Sequence, residues 1–280
     1  MCGGIFMYTH NNEQTLEQKW QNATIANNFI FYKIMRNNPD ICKELLEILL
    51  EFKIDHIEMR QEEEVAIDYG KKGIRLDVYA VGATESFYLE IQTTDTGELP
   101  ERARYYQSIL DVDDLNSGKN YSELKTSYII FICIPDIFKK GRAKYTFENL
   151  CLEDTEIKLN DRTQKLFFIA ENYDKILNDE QKGVLQMVME NKSTTKFSDK
   201  VSGLVEDAKH NARWRHQFLE YEIQQRYQFN AGKKEGIEEG ARQNAIENAK
   251  AFLKEGLSPE VIARCVKLPL EQILELQEKN

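Results

Sequence analysis

Residues 73–94 constrain the fold more than any other stretch of this chain. Two runs of strict alternation flank a short polar turn, the pattern of a β-hairpin. Ile74, Leu76, Val78 and Ala80 share one face of the first run, and Arg75, Asp77 and Tyr79 share the other. In the second run Phe87, Leu89 and Ile91 match the apolar face, while Tyr88, Glu90 and Gln92 match the polar one. Whether the loop is Ala83-Thr84 or the four residues 82–85, the turn gives one register: Val81 opposite Ser86 and Tyr79 opposite Tyr88. That register sets Asp77 across from Glu90 and Arg75 across from Gln92. A slip by one residue would turn every side chain over.

Opposed residues on one sheet face have Cβ atoms roughly 4.5–5.5 Å apart. Two carboxylates at that spacing repel unless a positive charge lies between them. A hard cation suits the gap, because Mg²⁺ is commonly held by one or two carboxylates, water and substrate phosphate. The plain alternative is a solvated outer face, against which Tyr79 and Tyr88 speak.

Around the hairpin, helical spacing marks residues 25–50, divided into two helices at Pro39-Asp40. Residues 54–68 alternate in part and read as one long strand or two with a bend. After the hairpin, Thr96-Gly97-Glu98 breaks the strand and Pro100 fits a first helical turn. Leu99, Ala103, Tyr106 and Leu110 then form one helical stripe. The run 128–134 is continuously apolar, as a strand buried on both faces should be. Strand, helix and buried strand in succession imply a crossover with parallel pairing. Shorter strands are expected at 144–149 and 165–170.

The expected organisation is a polar lead-in at 1–20, a mixed-sheet α+β domain at 21–170 and a helical extension at 171–230 packing on the core. A charged linker punctuated by Gly232, Gly236 and Gly240 follows at 231–244, then a small helical tail at 245–280. With 280 residues and 41% hydrophobic content the chain can bury a core. The five cysteines, Cys2, Cys42, Cys133, Cys151 and Cys265, are isolated. They suit reduced thiols and a cytoplasmic location, with Cys42 and Cys133 as core fillers. No stretch is long and apolar enough for a membrane span. A net charge of −10 argues against tight non-specific nucleic-acid binding, so any DNA contact needs a local basic strip or a metal.

The order helix, three-strand meander, helix, strand, with Asp on one strand and Glu-x-Gln on the next, resembles the PD-(D/E)xK nuclease superfamily. Within it the chain is most similar to the Rpn family of recombination-promoting nucleases and putative transposases. The matching stretches are IANNFIFYKIM (25–35), KGIRLDVYA (72–80), LEIQTT (89–94), LPERARYYQS (99–108), YSELKTSYIIFIC (121–133) and YTFEN (145–149). The resemblance implies a restriction-endonuclease-like αβββαβ core and a metal-dependent DNA endonuclease linked to recombination or mobile elements. Asp77 and Glu90 would bind Mg²⁺, with Mn²⁺ as a substitute. Gln92 stands where the superfamily has lysine and would orient water or phosphate. Lys33, Arg75, Arg104 and Tyr106 would contact phosphate or DNA. Asn28 falls where relatives often carry an acidic residue in the first helix, which weakens a third metal ligand. Two further readings stay open. One is a decayed nuclease fold acting as a scaffold, with self-association or DNA docking through the C-terminal helices; the other is cleavage of RNA or branched DNA.

Overall fold

The computed structural model describes residues 14–60, 78–115 and 120–278. Three helices come first, α1 (Leu16–Gln21), α2 (Asn28–Asn37) and α3 (Pro39–Leu50). Strands β1 (Glu58–Met59), β2 (Val78–Val81) and β3 (Glu85–Gln92) lead into helix α4 (Leu99–Asp114) and strand β4 (Thr126–Cys133). Strands β5 (Lys144–Phe147) and β6 (Thr163–Ile169) precede helices α5 (Asp179–Glu190), α6 (Lys196–Lys209) and α7 (Ala212–Lys254). Helices α8 (Pro259–Val266) and α9 (Leu270–Glu278) end the described chain.

The hairpin has the register that its alternation required, with Tyr79 opposite Tyr88 and Val81 opposite Ser86. Gly82 N–H donates to the Glu85 carbonyl at 2.8 Å, which leaves Ala83 and Thr84 at the tip. Among the described residues one six-stranded sheet results, ordered β1-β2-β3-β4-β6-β5. Strands β1, β2 and β3 pair antiparallel, as do β5 and β6, whereas β3, β4 and β6 run parallel. The α4 crossover therefore joins parallel strands, as expected from the apolar run of β4. The carboxyl ends of β3, β4 and β6 lie together, because Gln92 pairs with Cys133 and Cys133 with Ile169.

The hairpin's polar face is not wet. Tyr79 and Tyr88 join Leu99, Ala103, Tyr106 and Leu110 of α4 in one buried cluster with Ile129, Phe131, Cys133, Phe167 and Ile169. Both faces of β3 are thus covered, and Glu90 and Gln92 are only 3% and 7% exposed. Alternation separates two faces but cannot say that a helix will close the second one.

Helix boundaries follow local chemistry. Asn27 accepts from the Phe29 and Ile30 N–H groups to open α2, and Pro39 begins α3. The small α1 falls inside the stretch read as a lead-in. Its capping box runs between Thr15 and Gln18, and the fully buried Trp20 donates its indole N–H to the Lys209 carbonyl at 3.2 Å. Six residues are too few for periodicity to register.

Two expectations about elements need correction. Within residues 54–60 only Glu58–Met59 is strand, and residues 61–77, including Arg75 and Asp77, lie outside the described residues. The glycine-punctuated stretch is not a linker between helices: α7 runs unbroken through Gly232, Gly236 and Gly240. Good helix formers such as Lys233, Lys234, Glu235, Glu238 and Glu239 offset a glycine cost of about 1 kcal/mol each.

The chain divides into two compact units, one ending at His216 and one spanning Gln217–Asn280. In the second, Ala249, Ile262 and Ile273 are fully buried, with Leu253, Val266, Leu268 and Leu276 packed against them. Among the described residues no helix is long and apolar enough to cross a membrane.

Candidate active site at the carboxyl end of β3

Open sheets with parallel strands bind ligands beyond the strands' carboxyl ends. The last residues of β3 place two polar side chains there, Glu90 and Gln92, on the face covered by α4. A carboxylate this buried requires partners. The Arg102 guanidinium, from the first turns of α4, forms an ion pair with Glu90 Oε1 through Nη2. The Tyr88 hydroxyl donates to Glu90 Oε2. Arg102 also donates through Nη1 to Gln92 Oε1 at 3.2 Å, and through Nε and Nη2 to the Tyr106 hydroxyl at 3.2 and 3.0 Å. Gln92 Nε2 donates to the Thr94 carbonyl at 2.8 Å, which fixes the carboxamide with its oxygen toward Arg102.

Aromatic rings wall this cluster. The Tyr88 and Tyr106 ring centroids are 4.5 Å apart, Phe131 lies 6.0 and 6.4 Å from them, and Arg102 stands over the Tyr106 ring at 5.6 Å. Burial raises the Glu90 pKa above the usual carboxylate value, against the opposing pull of Arg102 and the Tyr88 hydroxyl. Burial and the Glu90 charge together raise the Tyr106 phenol. Cys133, beside Gln92 in the ladder, is pushed up to about 12 by burial. It is a core thiol, as is Cys42, also raised to about 12.

The residues singled out from sequence are distributed as follows. Glu90, Gln92 and Tyr106 converge. Arg104 is exposed on α4 and takes no part in the hydrogen bonds of Glu90 or Gln92. Asn28 is the first residue of α2 and Lys33 lies over the Phe29 and Tyr32 rings; neither bonds to Glu90 or Gln92. Asp77 and Arg75 lie outside the described residues. Sequence reading missed Arg102. The signal was present, because Arg102 precedes Tyr106 by four residues and so shares its helix face, whereas Arg104 is two residues away and cannot.

Among the described residues no group of three or more His, Cys, Asp or Glu side chains is placed to hold a metal ion. Glu90 supplies one anionic hard oxygen donor group, and Gln92 Oε1 is a neutral oxygen beside it. This donor chemistry suits a hard cation, provided a second carboxylate joins and Arg102 yields Glu90 Oε1. The cluster combines an anion, a neutral donor–acceptor and a guanidinium suited to phosphate.

The arrangement is that of an α+β nuclease fold. A sequence model of the PD-(D/E)XK nuclease family transposases matches residues 26–187, more than half of the chain. The chain belongs to that family, whose description joins nuclease activity to mobile elements. No curated protein and no solved structure matches it.

Proposed function

We propose that this chain is a metal-dependent DNA endonuclease that hydrolyses phosphodiester bonds, serving recombination or the movement of mobile elements in the cytoplasm. The observation that carries the reading is the buried Glu90–Gln92 pair at the carboxyl end of β3, held against Arg102, in a chain of this family. Asp77 and Glu90 would hold Mg²⁺ or Mn²⁺. The hairpin register supports that pairing, since Asp77 directly precedes Val78, and Val78 pairs with Leu89, the residue before Glu90. The bound ion would lower the pKa of a water and neutralise charge on the scissile phosphate.

The chain's own residues divide the rest of the work. Gln92 is neutral, so it orients a water or a phosphate oxygen through its carboxamide and supplies no charge. Arg102 brings the positive charge that a lysine at position 92 would have supplied. It neutralises Glu90 in the free protein, and its planar fork fits a phosphate once Glu90 takes another partner. Tyr106 steers the guanidinium through two hydrogen bonds. Arg75, Arg104 and Lys33 are proposed as more distant DNA contacts. The first turn of α2, with Asn28 at its start, carries no acid, so that helix adds no carboxylate to Asp77 and Glu90.

A second reading, a decayed nuclease fold that docks DNA or self-associates through its C-terminal helices, draws support from one observation. Both oxygens of Glu90 already accept hydrogen bonds from protein groups. Nicking of supercoiled plasmid separates the two. With Mg²⁺ the wild-type protein should nick, and EDTA or Asp77→Ala should abolish cutting. Absence of nicking with Mg²⁺ and Mn²⁺ would select the scaffold reading.

A further inference from the structure

Four of the six residues 139–144 are cationic, namely Lys139, Lys140, Arg142 and Lys144. In a chain of net charge −10 this is a sharp local reversal. The segment joins β4 to β5, so it stands at the carboxyl end of the parallel strands, the end that carries Gln92. Gln92 pairs with Cys133, Cys133 with Ile169, and Lys144 with Phe168 beside it. Three strand spacings, about 14 Å, therefore separate Gln92 from Lys144.

The loop is held in a fixed shape. Asp136, buried at its base, accepts from Phe138 N–H at 3.1 Å, Gly141 N–H at 2.6 Å and the Tyr145 hydroxyl at 2.9 Å. Lys139 (φ 55°) and Gly141 (φ 68°) take left-handed conformations that fold the chain back over this carboxylate. Burial alone would raise the Asp136 pKa, but the Gly141 N–H and the Tyr145 hydroxyl outweigh it and hold the carboxyl below its usual range. From below, Asn172 Nδ2 donates to the Arg142 carbonyl at 3.2 Å and Lys175 Nζ to the Gly141 carbonyl at 3.0 Å.

Asp136 thus uses the loop's inward amides, and Lys139, Lys140 and Arg142 are left exposed at the surface. Among the described residues, Lys144 alone of the four has a carboxylate partner, Glu51 at 3.5 Å. Lys200 and Lys158, by contrast, pair with Glu44 and Glu148. A cavity of about 420 Å³ opens beside the loop, lined by Arg142, Lys144, Lys175 and Asn178 among others.

We infer that the 139–144 loop is a second docking surface for the DNA phosphate backbone. It would hold the duplex about 14 Å from the Glu90 centre, roughly four steps at ~3.4 Å each along the helix axis. The inference rests on the nuclease reading above. It also explains how so acidic a protein engages a polyanion: three exposed cations without an acid partner among the described residues stand side by side on one preorganised loop at the reactive end of the sheet.

The test neutralises the three exposed cations together, Lys139→Gln, Lys140→Gln and Arg142→Gln, leaving Asp136 and Lys144 in place. Binding of a labelled DNA duplex in EDTA is followed by anisotropy across a range of KCl concentrations. Removing three phosphate contacts should make the slope of log affinity against log salt shallower by about 2.7. Affinity at low salt should fall at least about tenfold, which is 1.4 kcal/mol. Hydrolysis of a small chromogenic phosphodiester, which is too short to reach the loop, should be unchanged. If the triple variant melts below the wild type, the single Lys140→Gln change is read instead, with a slope change of about 0.9. An unchanged slope, or wild-type binding that does not depend on salt, overturns the inference. The nuclease reading fails separately, through loss of plasmid nicking by a wild-type protein that still binds DNA with the full slope.

Discussion

Glu90 carries a charge into a place where only 3% of its surface meets solvent, and Arg102 is the cation that compensates it. Removing one partner of such a pair strands the other, at about 3–5 kcal/mol, whereas removing both is much cheaper. The two partners are not equivalent. The Arg102 side chain keeps 29% of its surface exposed and can turn toward water, but Glu90 cannot. Arg102→Met should therefore destabilise the protein by about 3 kcal/mol or more. Glu90→Gln should cost about 1–2 kcal/mol, close to the loss of a charged hydrogen bond, and the double variant should recover part of the Arg102→Met loss. Urea unfolding of the four proteins measures this cycle. An Arg102→Met protein within about 0.5 kcal/mol of wild type, the usual scatter of surface substitutions, would mean that Glu90 is not held as described. The same pair shows what the sequence could disclose at this scale. Glu90, Gln92 and Tyr106 were legible from strand alternation and the α4 stripe. Arg102 required the further step of noticing which arginine shares a helix face with Tyr106.

At the scale of elements, legibility tracked the strength of the local period. The hairpin register and the α4 stripe came directly from alternation and 3.6-residue spacing, and the apolar run of β4 correctly announced a parallel central strand. The closure of the hairpin's polar face did not, because no residue on β3 encodes which helix will lie over it. The continuity of α7 was hidden by its glycines, and there the physics makes opposed predictions for two kinds of glycine. An added Cβ at Gly232, Gly236 or Gly240 meets nothing within 4 Å, so alanine there should raise stability of the helix by about 0.5–1 kcal/mol per site. At Gly183 in α5 a Cβ would lie 2.4 Å from Thr195 Cγ2 and 3.0 Å from its Oγ1, and Thr195 is the residue that caps α6. Alanine at 183 should therefore destabilise by about 1–3 kcal/mol despite its better helix propensity. Circular dichroism melts of Gly236→Ala and Gly183→Ala check the two signs; equal shifts in one direction would refute the packing account.

For the whole molecule, the decisive asymmetry is in how much each unit buries. The first unit owns the sheet, with β3 and β4 buried along nearly their full length and helices on both faces. The second has a small core, in which Ala249, Ile262 and Ile273 are the fully buried residues. Across its 43 residues α7 buries only Phe218 and Ala249, while Tyr227, Phe229 and Ile237 are 72%, 69% and 63% exposed. A helix with so little tertiary burial depends on its own propensity, and three glycines weaken that. Small cores contribute few kcal/mol, so opening of the second unit should need far less free energy than global unfolding. Native-state hydrogen exchange is the measurement. Amides of β3, β4 and β6 should exchange only through global unfolding, those around residues 225–245 of α7 first, and those of α8 and α9 between the two. Protection of the α7 midsection equal to that of β4, in dilute protein, would mean that something covers this helix in solution. A rise of that protection with protein concentration would identify the cover as a second copy of the chain.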